Sequence, residues 1–378
     1  MARSFSYWEH NTYFSNIDFT VVGAGIVGLH CALKLKEKHP KGRIVVLERG
    51  LLPRGASTKN AGFACFGSVS ELLDDLKTHP EQQVLELVEK RFKGLQCLKQ
   101  TLGEQQIGYK GHLGYEVFLK DAPETFLECM DRFNYINKAL YPIFKKEVFT
   151  ISKNRFSFKH VFDRYLVNRF EGQINTGLMM DALYRKCIAS GIRILYGVLV
   201  NDYQTRDDAV IVKTNIVDFS SKKLCIATNG LFKELINNDL EVKPARAQVL
   251  ITKPIPNLKI KGTFHLDKGF YYFRNIDNRI LLGGGRNLDP QTEQTTVFET
   301  TKTIQNKLDE LLCKVILPGK GAEVDMRWSG IMGVGHSKLP IVKQLSDHVF
   351  CGVRLGGMGI AIGSQVGEEL ANLTMGYA

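Results

Sequence analysis

The first fifty residues carry the clearest alternation of apolar and polar positions. Ile17 to Val22 is a mostly apolar, β-branched run, the pattern of a buried strand. Gly23-Ala24-Gly25-Ile26-Val27-Gly28 follows, and from Val27 to Lys38 the apolar residues Leu29, Ala32, Leu33 and Leu35 predict a helix. Arg43 to Glu48 reads as a second strand. Strand, glycine turn, helix and strand within about 32 residues is the opening of a doubly wound parallel sheet.

Further along, Leu85, Val88, Phe92, Leu95 and Leu98 predict a helix over 70–104, and helices are also expected over 123–140, 176–189, 292–313 and 359–374. Strands are expected at 114–119, 193–196, 197–203, 208–214 and 223–227, in a β-rich block (240–252, 269–274, 279–283), and at 323–331, 340–343 and 348–351. No Gly/Ser/Pro linker, low-complexity tract or internal repeat interrupts the chain. The order predicts an α/β chain of two interwoven domains. A three-layer, Rossmann-like nucleotide domain takes 1–75, 155–238 and 325–378. An α+β domain with a mixed antiparallel sheet takes 76–154 and 239–324.

Composition narrows the class. The chain has 378 residues, 44% apolar and 24% charged, which excludes a disordered or collagen-like chain and a small disulfide scaffold. No apolar run reaches ~18 residues, so no transmembrane helix is expected. MARSFSYWEH lacks the apolar core of a secretory signal. Eight cysteines without a CxxC pair read as buried thiols of a reducing, cytoplasmic setting. The formal charge is +11, and residues 131–170 alone carry nine Lys/Arg, three Asp/Glu and ten aromatics. That mixture suits either a nucleic-acid surface or a half-buried element with a solvated basic face.

The glycine turn carries the first chemistry. Gly23 permits the turn, Gly25 lets backbone approach a pyrophosphate, and Gly28 lets the helix pack on the sheet. Helix N–H groups then face the phosphates. Glu48, twenty residues past Gly28, ends the next strand, where a carboxylate accepts hydrogen bonds from ribose hydroxyls. An acid there disfavours a 2′-phosphate and leaves FAD and NAD. The loop Arg54-Gly55-Ala56-Ser57-Thr58-Lys59-Asn60-Ala61-Gly62 favours the flavin, because Ser57, Lys59 and Asn60 can hold phosphate or flavin polar atoms. Read locally, it is also an ordinary helix start capped by Ser57 or Thr58.

Several blocks together resemble the D-amino-acid oxidase/glycine oxidase/sarcosine oxidase superfamily of FAD-dependent oxidoreductases. They are VVGAGIVGL with VVLERG, GASTKNAG, EGQINTGLMMDALYRKCIASGIRIL, KLCIATNG, Trp328-Ser329-Gly330 with Pro340, and GVRLGGMGI from Gly352 to Ile360. The resemblance implies cofactor contacts from Gly23, Gly25, Ile26, Val27, Gly28, Glu48 and Arg49. Others are implied from Ser57, Lys59, Asn60, Ala61, Gly62, Val200, Thr228, Asn229 and Gly230, and from Arg354, Gly356, Gly357, Met358, Gly359 and Ile360. It implies oxidation of a C–N bond in a small amine or amino acid by hydride transfer to flavin N5, then imine hydrolysis. D-amino acids and N-substituted glycines head the substrate classes.

The same resemblance names Tyr271, Arg274, Arg286 and Arg354 as substrate-site candidates, since an arginine fork suits a carboxylate. Strand alternation puts Tyr271 and Phe273 on one face and Tyr272 and Arg274 on the other. Arg327 could stack on Trp328. His265 and His336 read as structural, and Cys65 reads as a buried structural thiol, with approach to the flavin as the lesser alternative. RWSGIMGVGHSKLP holds no cysteine where sarcosine oxidases attach theirs, so FAD is expected to be noncovalent. The lysine that assists oxygen in those enzymes also has no counterpart, which leaves oxidase and dehydrogenase, with O2 or another acceptor, both open. No metal constellation is expected. Two other readings remain. One is flavin-dependent modification of a tRNA wobble-uridine side chain, motivated by the basic stretch. The other is a non-enzymatic flavin protein for electron transfer or redox sensing.

Overall fold

The computed structural model describes residues 5–377. In chain order the elements are α1 (Tyr7–Tyr13), β1 (Ile17–Val22), α2 (Ile26–Lys38), β2 (Ile44–Glu48), β3 (Phe63–Ala64), α3 (Val69–Leu76), α4 (Glu81–Leu102), β4 (Gly114–Glu116), α5 (Pro123–Phe144), β5 (Phe149–Lys153), β6 (Arg164–Asn168) and β7 (Gly172–Gln173). Then come α6 (Thr176–Ala189), β8 (Arg193–Tyr196), β9 (Val200–Thr205), β10 (Val210–Thr214), β11 (Asp218–Ile226), β12 (Lys243–Thr252), β13 (Thr263–Leu266), β14 (Tyr271–Ile276), β15 (Arg279–Gly284), α7 (Lys302–Glu310), β16 (Val324–Val334), β17 (Ile341–Ser346), β18 (Val349–Val353) and α8 (Gly359–Met375).

The first sheet runs β17-β18-β11-β1-β2-β8, with β10 and β9 continuing from β11. β1 lies parallel to β2 and β11, and β18 is parallel to β11. Buried apolar residues at nearly every position of β1 and β2 fit strands covered on both faces. One face packs on α2, α6 and α8 through Leu29, Leu35, Met179, Leu183, Val366 and Leu370. The other is covered by the antiparallel arm β9–β10 and the chain beyond β11, through Val45, Leu47, Val210, Val212, Phe232 and Ile236. The expected three-layer opening unit is there, helix by strand.

The second sheet has eight strands in the order β16-β12-β15-β14-β13-β4-β6-β5, all antiparallel except β4 with β13. One face buries Phe264, Phe273, Leu250 and Leu282 against α7 and the turn after it. The opposite face brings Val249, Ile251, Leu281 and Tyr272 onto Ala61 and Phe63 of the glycine-bearing loop. β6 and β16 both hydrogen-bond into this sheet, so the expected boundaries near 155 and 325 do not follow the sheets. α3, α4 and α5 close one side around Leu72, Leu73, Val88 and Ile136.

Three elements differ from the sequence pattern. The helix expected over 70–104 is two, because Pro80 can neither donate to a preceding turn nor let its neighbour stay helical. The helix expected from 292 begins only at Lys302. Upstream, Glu293 is buried on Arg246 (2.8 and 2.9 Å) and Gln248 (2.8 Å), and that burial holds the segment irregular. The pattern assigns nothing to β5, β6 or β13, whose strands form through pairing with distant partners. In the basic stretch, all the aromatics except Tyr135 and Tyr141 are buried or half-buried. Its aromatic content therefore belongs to the core, under the solvated-face reading.

Candidate active site

A cavity of about 700 Å³ lies between the two sheets, within the size of small-molecule sites, roughly 300–1,000 Å³. Of the predicted cofactor residues, all but Gly28 and Gly230 line it. Those two stand behind the wall as packing positions. A Cβ on Gly28 would come 2.0 Å from the Gly23 carbonyl oxygen, and one on Gly230 would come 2.4 Å from that of Met332.

The glycine turn is built for close approach. Gly23 sits at φ +106°, and a Cβ there would lie 2.9 Å from the Ala227 carbonyl. At Gly25 a Cβ would meet Ser57 Oγ at 2.9 Å. Ser57 Oγ accepts from the Ile26 N–H at 2.9 Å, so the second loop already reaches the start of α2. The buried Glu48 carboxylate accepts from the Ala24 and Gly50 N–H groups at 3.2 and 3.0 Å, which fixes it at the end of β2 beside the turn. Arg49 pairs with Glu234 across the rim.

Asn60 and Asn229 work as latches. Asn60 donates to the Ala56 and Ser57 carbonyls (3.2 and 2.8 Å) and accepts from Gly62 N–H and Thr176 Oγ1 (both 2.9 Å), holding the loop in one shape. Trp328 Nε1 donates to the Lys59 carbonyl at 2.9 Å, fastening the same loop to β16. Asn229 Oδ1 accepts from the Arg354 and Leu355 N–H groups at 3.0 and 3.2 Å, so it shapes the C-terminal glycine turn before α8. Thr228 Oγ1 is buried against the cavity with no hydrogen-bond partner among the described residues.

The comparisons with known proteins decide what the cavity belongs to. Residues 18–373 match the model of the DAO family, described as FAD dependent oxidoreductase. The chain belongs to the DAO family of FAD-dependent oxidoreductases. It is 22% identical to the probable oxidoreductase OrdL of Haemophilus influenzae, over 97% of this chain and 84% of that protein. It is 25% identical to gamma-glutamylputrescine oxidoreductase of Escherichia coli, over 96% and 84%. In fold it is similar to glycine oxidase from Geobacillus kaustophilus (TM-score 0.76, 17% identity, 96% of this chain and 95% of that one). It is also similar to iminodiacetate oxidase from Chelativorans sp. BNC1 (0.73, 17%, 95% and 96%).

FAD is the cofactor of this DAO-family enzyme, and the residues present fit it. A glycine turn with no room for side chains, an acid at the end of β2 and an unpartnered buried hydroxyl at Thr228 are the features a dinucleotide uses. At the far end, Gly356 to Ile360 line the cavity where α8 begins, with backbone able to approach a ring.

The substrate-site candidates divide. Arg286 and Arg354 line the cavity; Tyr271 and Arg274 do not. Tyr271 faces the other way, with Phe273, into the core under α7, and burial pushes its hydroxyl up to about 12. Arg274 shares the cavity-side face but is fully buried. Its Nε donates to the Ala61 carbonyl, and burial pulls its guanidinium down to about 10. It braces the loop and is not free to hold a substrate. Arg354 (φ +64°) donates to the Leu339 and Glu241 carbonyls at 2.9 and 3.3 Å, so its guanidinium shapes the C-terminal loop. Arg327 pairs with Asp309 at 2.8 Å, away from the cavity.

The residue that does present a ring is Tyr272, edge-on to Phe63 at 5.5 Å. Alternation separates Tyr271 from Tyr272 but cannot say which face looks inward. His265 and His336, both read as structural, also line the cavity, together with Glu71, Asp74, Lys268, Met332 and Lys338. Glu71, Asp74, His265 and Lys268 stand in no motif, and their convergence depends on the packing of α3 against the second sheet. Cys65 lines the cavity with its Sγ 3.8 Å from Met358 Sδ, and burial pushes the thiol far up, so it is a poor nucleophile.

Proposed function

We propose that the enzyme oxidises a C–N bond in a small amine or amino acid, with D-amino acids and N-substituted glycines as the leading classes. FAD, when bound, supplies the hydride acceptor at N5 for the carbon bearing the amine, and water then hydrolyses the imine. The observation that carries this reading is one continuous cavity. It runs from the Gly23–Gly28 turn, past the Ser57–Gly62 loop and the Gly356–Ile360 turn, to a wall of Tyr272, His265, Glu71 and Arg286. The names of the relatives, glycine oxidase, iminodiacetate oxidase and gamma-glutamylputrescine oxidoreductase, all describe amine or amino-acid chemistry.

In this assignment the α2 amides and Ser57 bind the pyrophosphate, Glu48 accepts from the ribose, and the backbone of 356–360 faces the flavin ring. FAD is held noncovalently, Cys65 being buried with a thiol that resists ionisation. Segments 1–75, 155–238 and 325–378 carry most of the cofactor contacts and 76–154 and 239–324 most of the substrate wall, with Glu71 joining that wall from α3 and β6 and β16 pairing into the second sheet. Tyr272 closes the cavity, and Arg286, which lies near enough to oppose the rise in the Tyr272 pKa, is the arginine available to a substrate anion. No helix among the described residues is long and apolar enough to cross a membrane, and eight unpaired cysteines suit a reducing, cytoplasmic compartment. A tRNA partner draws less support, because the basic stretch keeps most of its aromatics inside.

The test is to purify the protein with its flavin and follow anaerobic bleaching across a panel of amines and amino acids. Rapid bleaching by a member of the panel is expected. A flavin that no amine or amino acid reduces, or a salt-sensitive tRNA complex with bleaching only by modified tRNA, overturns the proposal.

A further inference from the structure

The second sheet turns one unusual row of side chains toward the cavity. Glu116, His265, Tyr272 and Gly283 stand in register across β4, β13, β14 and β15. Two glycines clear space on this sheet. A Cβ on Gly283 would lie 2.7 Å from the Tyr272 ring, and one on Gly114 would lie 1.9 Å from Glu171 Oε2. The space at Gly114 seats a buried carboxylate under His265. Glu171 Oε2 is 3.0 Å from His265 Nε2, while its Oε1 accepts from Asn168 Nδ2 at 3.2 Å.

The other imidazole nitrogen looks outward. His265 Nδ1 is 4.0 Å from Glu71 Oε2, and both residues line the cavity. Glu71 Oε2 accepts from the Ser68 N–H at 2.9 Å, which fixes the carboxylate at the start of α3. Glu116 is satisfied by the Val69 and Ser70 amides of the same helix end. The cavity wall therefore offers a cation and an anion side by side, each held from behind.

We propose that His265 and Glu71 form a paired receptor for the zwitterionic head of an amino-acid substrate, His265 Nδ1–H taking the carboxylate and Glu71 the ammonium. This rests on the amine-oxidation reading and assigns its substrate recognition to residues outside every motif. The arginines expected to clamp a carboxylate are mostly engaged, Arg274 on Ala61 and Arg354 on Leu339 and Glu241. The charge of His265 is secured by its neighbours. Burial alone pulls the imidazole down, but Glu171, through its charge and hydrogen bond, together with Glu71 and Glu116, outweighs this and raises it to about 9. The titratable and charged groups around it are Cys65 just after β3, Glu71 from α3, Arg91 from α4, Glu116 from β4, Glu171 from the turn before β7 and Tyr272 from β14.

The experiment uses the FAD-loaded protein and two unreactive probes, acetate and methylammonium, with flavin absorbance reporting occupancy. His265→Gln is expected to weaken acetate about tenfold or more while leaving methylammonium within about twofold. Glu71→Gln, which keeps a capping-box side chain at that position, is expected to do the reverse. The native protein supplies a test that needs no variant. Its acetate affinity should hold through neutral pH and fall as pH rises past about 9, where His265 loses its proton. An arginine clamp would stay charged and give a flat profile to about pH 10. A flat profile, unchanged acetate binding in His265→Gln and a loss in Arg286→Gln would overturn the inference while leaving amine oxidation intact. A flavin that no amine or amino acid bleaches would instead remove the reading on which it rests.

Discussion

The two walls of the cavity are made differently. The first-sheet wall is mostly backbone: Gly23, Gly25 and the α2 amides, with Glu48 and two asparagine latches fixing loop shape. The opposite wall is made of charged and aromatic side chains, His265 and Tyr272 from the second sheet, Arg286 just beyond β15 and Glu71 from α3, over a sheet cleared by glycine at two places. A backbone wall suits a cofactor common to a family, because amides bind phosphate whatever the neighbouring side chains are. A side-chain wall can change with the substrate without disturbing the fold. The difference predicts that damage to the first wall removes the flavin, whereas damage to the second leaves a yellow protein with altered recognition.

The largest effect should come from Gly25→Leu. The added side chain would enter at the position of Ser57 Oγ and the Ile26 amide, the proposed phosphate site. The expected result is a folded protein without flavin, read as loss of yellow colour with unchanged far-ultraviolet dichroism. A variant that stays yellow would break the comparison at its base. Next is Arg274→Met. Arg274 belongs to the second sheet by sequence but to the first wall by function, because it holds the Ala61 carbonyl of the cofactor loop. Leaving that buried acceptor unpaired should cost about 2–3 kcal/mol, seen as a lower denaturation midpoint. If Arg274 instead held substrate, stability would be little changed and the KM would rise.

These cases show what could be read before the structure. The strand–turn–helix–strand opening was legible because its internal pairing of β1 with β2 is short-range, and Gly23, Gly25 and Glu48 keep fixed spacings along the chain. The second wall was not. His265 meets Glu171 across 94 positions of chain, and no local pattern marks either residue. Alternation separated Tyr271 from Tyr272 correctly, yet the inward face was decided by α7 covering Tyr271 and by the glycine-bearing loop meeting Tyr272. The helix over 70–104 failed for a reason visible in the chain: Pro80 interrupts an otherwise continuous helical pattern.

A smaller effect is expected at Glu48. Glu48→Gln keeps the shape and one acceptor but removes the charge that two backbone N–H groups and a ribose hydroxyl would share. FAD affinity should fall by about tenfold, near 1.4 kcal/mol, measurable by flavin release on dilution. Unchanged affinity would place the adenosine elsewhere along the wall.

The smallest effect tests whether every charged residue of the second wall matters equally. Lys268 pairs with Asp74 at 3.0 Å, but both side chains are substantially exposed, at 34% and 48%. Such a pair gains little from Coulomb attraction in water and gives up side-chain freedom to form, so its net contribution is about 0.5 kcal/mol or less. Lys268→Ala should therefore leave the denaturation midpoint almost unchanged. The buried His265–Glu171 pair stands in contrast, since removing one partner strands a charge inside the sheet. A large loss of stability in Lys268→Ala would mean that the rim is part of the frame. The division between a structural first wall and an adaptable second one would then have to be redrawn along burial instead of along the sheets.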